Sequence, residues 1–62
     1  MKKQIFNIND KVKIINSWDD KLFNKIGVII QCFYNTNEYL IEFNSLGRAI
    51  LHETEFIIFN EN

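Results

Sequence analysis

One histidine, one cysteine and one adjacent pair of aspartates have the most capacity for chemistry in this 62-residue chain. His52-Glu53-Thr54-Glu55 begins like a zinc helix, but such a helix needs a second histidine four positions on, and Phe56 stands there. With a single histidine and a single cysteine, no metal site or disulfide can be built within one chain, and no cofactor is expected. Cys32 or Ser45 with His52 is the available nucleophile–base pair. Cys32, however, lies in an apolar run, where a thiol packs as a small hydrophobe. Asp19 and Asp20 sit side by side in a polar loop and lack the contrasting environments that separate an acid from a base. Two glycines cannot form a phosphate-cradling loop. The chain therefore reads as a binding module, not as an enzyme.

The residues suited to binding are concentrated in the first loop, Asn16 to Lys25. Trp18, Leu22 and Phe23 are costly to leave in water, so they either fold back over one end of the core or await a partner. In the second case Trp18 and Phe23 form an anchor rimmed by Asp19 and Asp20, suited to a basic or proline-rich protein segment. Tyr34 joins them as a candidate, because neighbouring Phe33 and Tyr34 must point to opposite faces of a strand. Lys11, Lys13, Lys21 and Lys25 supply the alternative, a nucleic-acid surface whose affinity would fall steeply with salt. Ile14-Ile15 and Ile29-Ile30 leave at least one large aliphatic pointing outward, and an Ile15/Ile29 face would suit a homo-oligomer.

The net charge of −1 argues against a nucleic-acid coat protein, which would be clearly basic. The charge is uneven: residues 1–25 carry six lysines and three aspartates, and residues 26–62 carry Arg48 and five glutamates. Met1-Lys2-Lys3 is followed by Gln4, Asn7, Asn9 and Asp10, so no apolar leader segment is expected, and no run is long enough to span a membrane. A lone thiol fits a reducing compartment, and a cytoplasmic location is expected.

The elements that must hold these residues are short and extended. Lys11-Val12-Lys13-Ile14 alternates with period two, the mark of a half-buried strand. Ile26 to Tyr34 is a longer apolar strand entered through Gly27. Asn35-Thr36-Asn37 makes a hairpin turn, and Glu38–Phe43 returns with Tyr39, Ile41 and Phe43 on one face. Gly47 turns the chain into a fourth strand, Arg48 to His52. Glu53-Thr54-Glu55 forms a single 3-10 turn, and Phe56 to Phe59 is the fifth strand. Sixty-two residues make one domain, with an ordered core over about residues 8–59 and a margin of roughly 3–5 kcal/mol that packing alone must supply.

Asn9-Asp10-Lys11-Val12-Lys13-Ile14, Gly27-Val28-Ile29, Tyr39-Leu40-Ile41-Glu42-Phe43 and Gly47 together resemble SH3-like, KOW-type barrels. In those barrels G-D-x-V opens the first strand and G-x-V the second. The pattern is most similar to small bacterial proteins with a D-x-V, G-T-V-V, Y-x-V-E-F, G succession. The resemblance implies an all-β, five-stranded SH3-like barrel with one 3-10 turn before the last strand, a fold more than an activity. The surface residues make a protein-binding module, an inhibitor or immunity-type partner of a larger bacterial protein, the leading expectation. Asn9 stands where that pattern has glycine, which bears on the turn geometry. The start of the chain is also similar to the small photosystem I stromal subunit, but Asn44–Gly47 is too short for that family's later loop. Plasmid-type dihydrofolate reductases need Val-Gln-Ile-Tyr where this chain has Arg48-Ala49-Ile50-Leu51-His52, so that activity is excluded.

Overall fold

Five antiparallel strands form one sheet in the computed structural model, which describes residues 6–17 and 20–59. They are β1 (Lys11–Ile14), β2 (Ile26–Phe33), β3 (Glu38–Phe43), β4 (Gly47–His52) and β5 (Phe56–Ile58), with a 3-10 turn, Glu53–Glu55, between the last two. Their order is β4-β3-β2-β1-β5, so β4 and β5 are the edges and hydrogen bonding does not close the sheet. No described residue is α-helical.

The inner face is built by alternation. Val12 and Ile14, Ile29, Tyr39, Ile41 and Phe43, Leu51 and Phe56 are buried together, and Phe6 joins them from two residues before the expected start of the core. Among the described residues no second layer covers this face, and the sheet covers itself by coiling. In a flat sheet β3 and β5 would lie about 14 Å apart, three strand spacings. Yet the Tyr39 and Phe56 rings meet edge to face at 5.5 Å, with Phe6 against both, at 5.4 Å and 4.7 Å.

Two local features allow that curvature. At Gly27 an added Cβ would overlap the Ile41 side chain and come within 3.0 Å of both the Glu42 carbonyl and Phe43; only glycine lets β2 pass so close to β3. Between Ile29 and Gln31 the register of β2 against β3 shifts, leaving Ile30 as the extra residue of a bulge. Such bulges bend a strand and increase its twist. Across the shift Ile29 faces Ile41 and Cys32 faces Tyr39, so both halves of β2 keep an inward side chain.

The turns follow the expected chemistry. Asn9, Asn24 and Asn37 take positive φ (79°, 67° and 59°) and Gly47 takes 85°. Asparagine tolerates this region better than most residues. Asn9 thus adopts the conformation that glycine would supply, in a turn held by the Asn7 N–H on Asp10 Oδ2 at 2.8 Å.

Candidate functional site

The first loop is pinned at both ends by main-chain bonds. The Asn24 N–H donates to the Ile14 carbonyl at 2.9 Å, and the Ile15 and Asn16 N–H groups donate to the Glu55 carbonyl at 2.9 and 3.1 Å. The loop is therefore seated against the 3-10 turn, and a shallow cavity of about 280 Å³ lies between them, lined by Asn16, Ser17, Thr54 and Glu55. Leu22 packs against the core. Phe23 next to it is 51% exposed, and among the described residues it takes part in no ring contact. Neighbouring residues thus divide the two roles open to this loop, one serving as lid and one facing out. Asp20 is exposed beside them; Trp18 and Asp19 lie outside the described residues.

Tyr34 is not part of that cluster. It follows the last residue of β2, whereas Phe23 precedes the first, so the length of an eight-residue strand separates them. Although 54% exposed, Tyr34 is firmly engaged. Its hydroxyl donates to the Phe6 carbonyl at 3.0 Å, and its ring meets Tyr39 edge to face. The Cys32 thiol reaches the same carbonyl at 3.7 Å. Hydrogen bonding with Cys32, then partial desolvation and the nearby negative groups, push the Tyr34 hydroxyl up to about 12. Burial, with the charge of Glu53, raises Tyr39 as well. Both hydroxyls stay protonated as structural groups.

Cross-strand register defines the outer face, since directly opposed residues project to the same side. At one end, Ile57, Lys13 and Ile26 form a row across β5, β1 and β2. Ile15, two residues beyond Lys13, continues the same side, and all three isoleucines are exposed. Of the four lysines, Lys11 and Lys13 share this face. Lys25 precedes Ile26 and falls one residue out of step, and Lys21 lies on the loop. Ile29, which the Ile15/Ile29 face required outside, is fully buried because the β2 alternation points it at Ile41; Ile30 is the half-buried neighbour.

At the other end the rows are Val28–Glu42–Arg48, Gln31–Leu40–Ile50 and Phe33–Glu38–His52. Arg48 Nε meets Glu42 Oε2 at 3.3 Å, both exposed. A groove of about 670 Å³ borders this region, lined in part by Phe33, Tyr34, Glu38 and Ile50.

The residues weighed for catalysis are kept apart. Cys32 faces inward opposite Tyr39, His52 lies on the outer face opposite Glu38, and Ser45 is in the turn at the far end of β4. His52 instead caps the 3-10 turn. Its Nδ1 accepts from the Thr54 N–H at 3.3 Å, and its own N–H donates to Glu55 Oε1 at 2.8 Å. Among the described residues no group of three or more His, Cys, Asp or Glu side chains is arranged to hold a metal. The S/T-x-x-E signal of a capping box is present here with histidine in first position, which is why sequence reasoning passed over it. No family model, curated protein or solved structure matches the chain.

Proposed function

We propose that this protein is a small, non-catalytic SH3-like docking module that binds another protein through the first-loop end of its outer face. The observation that carries this reading is the cluster of exposed Ile15, Ile26 and Ile57 around Lys13, with Phe23 three residues from Ile26. Exposed isoleucines on either side of a cation suit a partner segment that brings aliphatic side chains and one carboxylate. The strand order, the 3-10 turn before β5 and the self-covering curvature support the SH3-like barrel as its frame. An inhibitor or immunity-type role toward a larger protein is the setting that such a surface fits.

The test is affinity capture with the native chain and with Phe23→Ala, Ile26→Ser and Trp18→Ala, at low and high salt. A partner protein retained at high salt and lost from Phe23→Ala and Ile26→Ser supports the reading, because apolar contacts are not screened. Equal capture by all variants overturns it. So does a nucleic acid that elutes steeply with salt, which would return the function to Lys11 and Lys13.

A further inference from the structure

The two edges of the sheet are treated differently. β5 is three residues long, and short edge strands are one of the ways proteins keep edges from pairing. β4 has six residues, Gly47–His52, with no lysine, proline or bulge. Alternate residues of an edge strand direct N–H and C=O groups away from their neighbour. Among the described residues, no main-chain to main-chain bond joins β4 to anything but β3, and of its outward N–H groups that of His52 is held by Glu55 Oε1. Its central outward side chain, Ile50, is 56% exposed.

We propose that β4 is a self-pairing edge: two copies of this chain join β4 to β4, antiparallel, about a two-fold axis at Ile50. Register selects this arrangement. A shift of one residue would set an inward side chain against an outward one, so only axes that match the faces are allowed. An axis at Arg48 sets two arginines directly opposite each other, which like charges disfavour. An axis at Ala49 opposes Ile50 to Arg48, and one at Leu51 or beyond runs the pairing off the strand into the 3-10 turn. The axis at Ile50 sets Arg48 to His52 of the two copies opposite each other, with the Arg48 and Ile50 N–H groups as donors across the seam and the His52 N–H kept by Glu55 Oε1 at 2.8 Å. It joins Leu40–Ile50 of one copy to Ile50–Leu40 of the other in a single apolar row. On each side the flanking row reads Glu42, Arg48, His52, Glu38, with no like charges opposed across the new seam. The patch of Ile57, Lys13 and Ile26 lies toward the opposite edge and stays free in both copies.

The contact is small, so a weak, concentration-dependent dimer is the expected form. Sedimentation of the full chain over a wide concentration range should show the mass rising from 7.4 kDa toward twice that value. Ile50→Lys should weaken association by at least about tenfold, the scale of losing one buried aliphatic contact, with the far-ultraviolet circular dichroism unchanged. Oxidation in a Cys32→Ser background gives a readout that survives if Ile50→Lys fails to fold. Ile50→Cys should cross-link to its copy. Arg48→Cys alone should not, and Arg48→Cys with His52→Cys should. A chain that stays monomeric at every concentration overturns the proposal. So does Ile50→Lys associating like the native chain, or Arg48→Cys cross-linking as readily as Ile50→Cys.

Discussion

The sheet has two halves, divided where β2 bulges between Ile29 and Gln31. On the inner face they are indistinguishable: both feed aliphatic and aromatic side chains into one core. On the outer face they differ in kind. The half made of β5, β1 and the start of β2 shows isoleucine and lysine, and it carries the first loop. The half made of the end of β2, β3 and β4 shows Glu38, Glu42, Arg48 and His52 around Leu40 and Ile50. The outer rows of the sheet thus differ in charge from one half to the other, lysine in the first and paired acids and bases in the second. The core, nine buried residues among those described, fixes the shape and leaves each outer half free to carry its own chemistry.

The largest effect should come from the joint between the halves. Gly27→Val drives new atoms into Ile41 and Phe43, and overpacking of this kind costs about 3 kcal/mol at its upper range. Against a margin of roughly 3–5 kcal/mol this leaves at most about 2 kcal/mol, so the thermal midpoint should fall steeply toward room temperature. A variant that melts like the native chain would mean that β2 does not depend on close approach to β3. A smaller effect is expected at the far corner of the second half. His52→Ala removes the acceptor that holds Thr54 and should cost about 1 kcal/mol, read as a lower denaturant midpoint. His52→Asn, which restores an acceptor, should recover most of it.

The smallest effect at neutral pH belongs to Tyr34. A hydroxyl raised to about 12 in the folded chain favours folding fully below its unfolded value near 10. That contribution is lost as pH climbs from about 10 to 12. Tyr34→Phe should therefore flatten the alkaline fall in stability, while Tyr39, raised in the same direction, keeps part of it. An unchanged alkaline slope would show that the contact with Cys32, the main cause of the raised hydroxyl, does not persist in solution.

Much of this fold was legible because alternation and turn chemistry are local. Lys11–Ile14, Glu38–Phe43 and the 3-10 turn at Glu53–Glu55 occur where period two and the polar breaks require them. The bulge was not legible, because Ile26–Phe33 is apolar on both sides and carries no period to betray a shift. Phe6 was missed since its partners, Tyr39 and Phe56, are distant in sequence. The binding residues were half legible. Large apolar groups in a loop signal either lid or anchor, and composition does not say that Leu22 takes the first role while Phe23 faces out. Nor could it separate Phe23 from Tyr34, which depends on the length and direction of β2.

The pairing of β1 with β5 joins Val12 to Ile58, almost the span of the described chain, whereas β2, β3 and β4 meet through short turns. Closing a long loop is slower than closing a hairpin. The three-strand meander can therefore form before β5 reaches β1. The core cannot: Phe56 is among its fully buried members, so the aromatic cluster stays open until β5 has docked on β1. Until that moment the inner face of the meander is bare, and the folding chain is at its most vulnerable to aggregation and proteolysis.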